Sequence, residues 1–133
     1  MANAPAISIV DDDASVRAAT ARLLRSMGFS AHVFASAKEF LSSAQLRETA
    51  CLIADVEMPG KSGIELQGHL IAAGHTIPTI FITAFLDERL RERAMNAGAI
   101  GFLSKPFDQS RLLECVEQSL KNRHKAAEPP GSA

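Results

Sequence analysis

One stretch limits this chain more than any other: Ala50-Cys51-Leu52-Ile53-Ala54-Asp55, followed by Val56-Glu57-Met58-Pro59-Gly60. A short apolar run that ends in an acid and meets a Pro-Gly turn has the character of a strand buried on both faces. Such strands belong to sheets covered by helices on either side. Their last residue is delivered to the carboxyl edge, where ligands and chemistry collect in open α/β sheets. The pattern therefore predicts Asp55 as an exposed acid at that edge. A lone carboxylate there is a nucleophile, a metal ligand or, most often, merely the polar end of a strand.

The rest of the chain supplies the same unit repeatedly. Residues 6–10 read as a first strand that stops at Asp11-Asp12-Asp13, and helical spacing then runs through Val16, Ala19, Leu23, Leu24 and Met27 to Gly28. Residues 29–35 read as a second strand, and Ser36-Ala37-Lys38-Glu39 as a capping box opening a helix with Phe40, Leu41 and Leu46. After Asp55, Ser62 caps a helix carrying Ile64, Leu66, Leu70 and Ile71, which Gly74 ends. Residues 78–83 form a fourth strand, a charged helix over 86–97 follows, and residues 99–103 form a fifth strand before Ser104-Lys105-Pro106-Phe107. Asp108 caps a last helix whose inner face is Leu112, Leu113, Val116 and Leu120. The connections are too short for antiparallel return. The predicted class is α/β, a doubly wound five-stranded parallel sheet with helices on both faces. Residues 1–121 form the domain, and 122–133, basic and then rich in Pro, Gly and Ala, read as a linker-like or disordered tail, a composition that leans toward a shortened chain.

Composition removes several function classes. A net charge of −1 argues against a nucleic-acid footprint or attraction to a membrane surface. The first residues lack a basic region before an apolar core, and no apolar run approaches the length of a membrane span. Cys51 and Cys115 fall in an apolar strand and an amphipathic helix, so they read as reduced core residues in a cytoplasmic protein. His32, His69, His75 and His124 have no zinc-type spacing, and the glycines form neither a GxGxxG nor a P-loop pattern. The mixed charges of residues 87–93 read as a solvated helix face, with partner docking as the second reading.

In a parallel sheet every strand end lies along one edge, which gathers Asp11, Asp12, Asp13, Asp55, Thr83 and Lys105. Asp13 reads as helix N-terminal charge. Clustered carboxylates repel, and a hard divalent cation with oxygen ligands relieves them, Mg²⁺ first and Mn²⁺ as a substitute. A metal, an ammonium and a hydroxyl around one carboxylate are the parts that stabilise a transferring phosphoryl group. Asp55 would then attack phosphorus and become an aspartyl phosphate.

The combination of Ile9-Val10-Asp11-Asp12-Asp13, Asp55 with Met58-Pro59-Gly60, Thr83-Ala84 and Lys105-Pro106-Phe107 resembles the receiver domain of two-component response regulators. The resemblance spans residues 6–121 and is nearest to receivers of FixJ/NarL-type transcriptional regulators. It implies a flavodoxin-like, CheY-like fold with βα repeated five times. It implies Asp55 as phosphoacceptor, with Asp11, Asp12, Asp55 and the backbone carbonyl of Glu57 around Mg²⁺. Thr83, Ala84 and Lys105 would bind phosphoryl oxygens, and Thr83 and Phe102 would form the switch, Phe standing where Tyr is common. Lys105-Pro106 is expected to be cis. Glu57 and Phe85, two beyond Asp55 and Thr83, would tune dephosphorylation: Phe85 as an apolar shield, Glu57 by orienting a water or pairing with Lys105. The implied partner is a sensor histidine kinase, with a phosphorylation-dependent homodimer as a further arrangement. Direct nucleic-acid binding by this domain and membrane binding are not expected, a DNA-binding effector domain being an option for a longer protein.

Two other readings compete. An Asp-nucleophile phosphatase of haloacid-dehalogenase type calls for a second Asp two residues after the nucleophile, where this chain has Glu57, and for a cap domain. A pseudo-receiver that binds partners without phosphorylation would not need the full set of acids, Thr83 and Lys105.

Overall fold

The computed structural model describes residues 4–127, with side chains as far as Lys121. Five strands, β1 (Ala6–Val10), β2 (Ser30–Phe34), β3 (Cys51–Asp55), β4 (Thr79–Thr83) and β5 (Gly101–Ser104), alternate with five helices, α1 (Ala14–Ser26), α2 (Ala37–Leu41), α3 (Gly63–Ala72), α4 (Glu88–Asn96) and α5 (Gln109–Ala127). The strands form one sheet in the order β2-β1-β3-β4-β5, and every pairing is parallel. This is the doubly wound, flavodoxin-like order, which reverses direction between β1 and β3.

Alternation along β3 shows why its sequence is apolar throughout. Cys51 and Ile53 join a core with Ile7, Ile9, Ile80, Ile82 and the inner residues of α1 and α5. Leu52 and Ala54 point the other way, to Phe40 of α2, Leu66 and Leu70 of α3, Ala94 of α4 and Phe81. Both faces are dry, so no position of the strand tolerates a polar side chain until the sheet edge is reached.

Several helix details depart from the predictions. In α1 the fully buried residues are Thr20, Ala21 and Leu24, while Met27 caps the helix and is exposed. Gly28 supplies the turn with φ of 92°, a conformation that costs a residue with a Cβ. In α3 the inner stripe is Gly63, Leu66, Gln67 and Leu70, and Ile71 is 53% exposed. Helical phase, not hydrophobicity, selects Gln67, whose Nε2 donates to the carbonyl of Ala94 at 3.1 Å and so remains satisfied. The α2 helix ends at Leu41, and Leu46 sits in a separate 3₁₀ turn, Leu46–Glu48. The Ser43 hydroxyl helps end it by bonding the Phe40 carbonyl at 2.7 Å. Ser36 does cap α2, accepting from Glu39 N at 3.2 Å, but only this half of the capping box forms. Both halves form at Ser62 and Glu65. The charged helix begins at Glu88, because Asp87 accepts from the Arg89 and Leu90 amides, and Leu86 is left exposed in the preceding loop. Asp108 accepts from the Ser110 amide at 2.8 Å at the start of α5. That helix continues to Ala127, past Lys121 and into the stretch expected as a linker, since no Gly or Pro interrupts residues 122–127. The remainder of the expected tail lies outside the described residues, as does the side chain of His124.

Gly63 is the residue that lets α3 approach the end of β3. A Cβ there would collide with the backbone carbonyl oxygen of Asp55 and lie 3.2 Å from a Phe81 ring carbon. Gly63→Ala should therefore lower stability by about 1–3 kcal/mol in urea unfolding. Gly68→Ala, on the same helix with open space around it, should raise stability by roughly 0.5–1 kcal/mol.

Candidate functional site

Strand register builds the site. Val10 of β1 pairs with Ala54 of β3, so Asp11 and Asp55 emerge side by side at the point where the strand order reverses. The three consecutive acids then part company. Asp11 is fully buried, its Oδ1 accepting from the Asp13 amide at 2.9 Å. Asp12 faces solvent. Asp13 caps α1, accepting from the amides of Ser15 and Val16 at 2.8 and 3.4 Å. Arg17 holds the turn by donating to the Asp11 backbone carbonyl at 2.7 Å.

Asp55 is not the exposed acid that its position suggested. It is 3% exposed, because the loop after β3 and Lys105 close over it. Its Oδ1 accepts from the Glu57 amide at 3.2 Å and its Oδ2 from the Lys105 ammonium at 3.2 Å. The same ammonium lies 3.0 Å from Asp11 Oδ2. Lys105 is itself anchored through its amide, which donates to the Thr83 carbonyl at 2.7 Å, and the Lys105-Pro106 peptide is cis.

The electrostatics follow from two carboxylates and one cation in a nearly dry place. Burial first, and then the neighbouring Asp11, push the Asp55 carboxyl up to about 6, although Lys105 and the Glu57 amide pull it down. Burial works against the charge on Lys105, yet its contacts with Asp11 and Asp55 outweigh that and hold its pKa above the ordinary lysine value.

Carboxylate oxygens of Asp11, Asp12 and Asp55 all lie within 4.8 Å of one another. Asp11 Oδ2 is buried and has no well-aligned hydrogen bond, even with the ammonium close by. A set of three carboxylates with a single ammonium among them suits a hard divalent cation.

Thr83 is fully buried at the end of β4, but its side chain does not bond Asp55 or Lys105. Its hydroxyl lies 2.7 Å from both carboxylate oxygens of Glu57 and accepts from the Phe85 amide at 3.1 Å. Of the partners expected for the Glu57 side chain, Lys105 is therefore not the one taken. Sequence reasoning missed this contact. Its signal was an acid two residues beyond Asp55 on the strand next to β4. Ala84 is exposed beside Thr83, and Phe85 is 75% exposed. Phe102 is half-buried, its ring 6.1 Å from that of Phe81 at 49°. Cys51 and Cys115 are both free, and burial pushes the Cys51 thiol up to about 12.

A stability experiment reads the acid pair directly. The folded Asp55 carboxyl titrates near 6, above its ordinary 3.8, so the fold binds that proton more tightly than the unfolded chain does. In chelator-treated protein this group's contribution is full below about pH 4 and is lost as pH rises through about 6. Asp55→Asn should match wild type in chemical denaturation at pH 4 and exceed it at pH 7.5, by up to about 3 kcal/mol. A wild-type advantage at pH 7.5 would show that Lys105 outweighs burial and Asp11.

Comparison with known proteins agrees with this geometry. Residues 7–117 match the family described as response regulator receiver domain. Nodulation protein W of Bradyrhizobium diazoefficiens is 40% identical over 122 residues, covering 92% of this chain and 54% of that protein. Response regulator protein TodT of Pseudomonas putida is 41% identical, covering 89% of this chain and 52% of TodT. The chain thus spans about half the length of these relatives. Among solved structures, response regulator StyR superposes with a TM-score of 0.86 at 46% identity, covering 92% of this chain and 62% of that one. FixJ-N superposes with a TM-score of 0.79 at 36% identity, covering 88% and 94%. Among the described residues, no helix is long and apolar enough to cross a membrane. The chain belongs to the response regulator receiver domain family, the signal-receiving module of two-component systems.

Proposed function

We propose that Asp55 accepts a phosphoryl group from the phosphohistidine of a sensor histidine kinase, and that the domain acts as a switch and not as a turnover enzyme. The observation that carries this reading is the buried Asp11–Asp55 pair bridged by Lys105, with Asp12 beside it. An oxygen of the Asp55 carboxylate forms the new bond to phosphorus as the bond from phosphorus to the histidine nitrogen breaks. Asp11, Asp12, Asp55 and the backbone carbonyl of Glu57 would hold Mg²⁺, or Mn²⁺ in its place, which when bound supplies positive charge to the phosphoryl oxygens. Lys105 already sits on Asp55, and its ammonium shifts its contact to a phosphoryl oxygen as charge moves there. Thr83 donates its hydroxyl, and the Ala84 amide offers a second donor. Thr83 and Phe102 carry the change toward the α4–β5 face. That face would control a downstream output, transcription through an effector domain being the first candidate, with a phosphorylation-dependent homodimer as one means and a cytoplasmic setting.

Incubation with acetyl phosphate and millimolar Mg²⁺, followed by intact-protein mass, tests the assignment. Wild type should gain one phosphoryl group, Asp55→Asn none, and Asp13→Asn most of the wild-type amount, since Asp13 caps a helix. Equal loss in both variants would reassign the acids, steady turnover would favour the phosphatase reading, and an unmodified wild type would favour a pseudo-receiver. Mg²⁺ should also raise the melting temperature of the unphosphorylated protein at pH 7.5, because it binds the folded acids alone. The gain should shrink below about pH 6, where Asp55 holds its proton. A melting curve indifferent to Mg²⁺ would count against the site.

Phe85 is proposed to slow hydrolysis once the site is phosphorylated. Its amide is tied to the Thr83 hydroxyl, so a Thr83 that turns to the phosphoryl group carries Phe85 with it. Phe85→Ala should then lose its phosphoryl group several-fold faster, tenfold corresponding to about 1.4 kcal/mol of barrier. Unchanged or slower decay after donor removal would rule the shield out.

A further inference from the structure

We infer that Glu57 is a positioning residue that holds the Thr83 hydroxyl away from Asp55 in the unphosphorylated protein, and so sets how readily the site takes a phosphoryl group. This rests on the phosphoacceptor reading above and concerns the Glu57 side chain, not its backbone carbonyl.

A threonine hydroxyl has one proton to give. At Thr83 both Glu57 oxygens lie 2.7 Å away, while the competing Phe85 carbonyl lies at 3.0 Å. A carboxylate is the stronger acceptor, so the proton goes to Glu57. The Phe85 amide occupies a lone pair on the same oxygen. The buried hydroxyl thus has its one proton committed before any phosphoryl group arrives.

The arrangement follows from the chain. Asp55 pairs with Ile82 across β3 and β4, so Thr83 closes β4 beside the end of β3, and the turn after Asp55 brings the Glu57 side chain onto its hydroxyl. The Glu57 amide meanwhile donates to Asp55 Oδ1 at 3.2 Å. One residue fixes the acceptor carboxylate through its backbone and the donor hydroxyl through its side chain. A phosphoryl oxygen on Asp55 would be a second anionic claimant on the single Thr83 proton. Glu57 is exposed, so water replaces the lost bond when Thr83 turns away. That keeps the restraint modest and reversible.

The test measures affinity for trifluoroberyllate with Mg²⁺, a tetrahedral phosphoryl mimic that binds a carboxylate, by calorimetry. Glu57→Ala should bind roughly three- to tenfold more tightly than wild type, as expected for a part-buried charged hydrogen bond removed from the free state. Glu57→Gln keeps an acceptor and should fall closer to wild type than to Glu57→Ala. In a Thr83→Val background, which leaves no proton to hold, Glu57→Ala should have no effect. The Thr83 methyl carbon shift of the free protein should move in Glu57→Ala and stay near the wild-type value in Glu57→Gln. Unchanged or weaker binding by Glu57→Ala overturns the inference. So does equal tightening by Ala and Gln that persists with Val at position 83, which would be charge repulsion alone. Wild type that fails to bind the mimic overturns the phosphoacceptor reading itself, and the inference falls with it.

Discussion

Two carboxylates with almost no contact with water share one ammonium, and the placement of three strands depends on that arrangement. Asp11 and Asp55 are 0% and 3% exposed, and Lys105 lies 3.0 and 3.2 Å from them. Like charges at this burial are tolerable only with a compensating cation, and an uncompensated buried charge costs several kcal/mol. Lys105 comes from beyond β5, two strands away from β3, so its chain must reach across the end of β4. The bond from its amide to the Thr83 carbonyl fixes where that reach begins. The polar end of β4 is therefore part of the same construction as the acids on β1 and β3. One ammonium for two carboxylates still leaves an excess of negative charge. Burial first, and that excess second, raise the Asp55 carboxyl, and the excess suits the site to a cation.

Much of this was legible in the residues. Largely apolar runs ending in polar residues marked β1, β3, β4 and β5, and parallel topology alone brought Asp11, Asp55, Thr83 and Lys105 to one edge. Burial of Asp55 was not legible, because a strand-end acid is covered or left open by residues far away in sequence, here Lys105. The inner face of α3 was misread for a related reason. Ile71 is more hydrophobic than Gln67, but a helix is held in phase by Gly63, Leu66 and Leu70, and the phase turns Gln67 inward. The Ala94 carbonyl that makes this tolerable belongs to another helix. The Glu57–Thr83 contact was out of reach likewise: a glutamate there has both Lys105 and Thr83 as candidates, and only the pairing of β3 with β4 decides between them.

The helices are not equally held, and the order of their attachment bears on which one a small change at Thr83 can affect. α5 buries Leu112, Val116 and Ser119, and α3 buries Leu66, Gln67 and Leu70. α4 buries Ala94 alone, and Leu90 and Met95 are half-covered. Its Glu88–Arg91 ion pair is exposed at both ends, a kind of contact worth well under about 1 kcal/mol. A side-chain tie from another helix is the Gln67 bond to the Ala94 carbonyl. The loop that leads into it presents Phe85 and Leu86 to solvent, 75% and 61% exposed. A hydrogen bond contributes about 1 kcal/mol net, too little to disturb a helix anchored by several buried side chains at about 1.5–3 kcal/mol each. It is comparable to what restrains α4 and the loop before it. Thr83 sits at the start of that loop, and its hydroxyl is bonded to the Phe85 amide within it. The chain thus ties the Thr83 hydroxyl, through the Phe85 amide, to the loop that leads into a helix holding the core by one fully buried side chain.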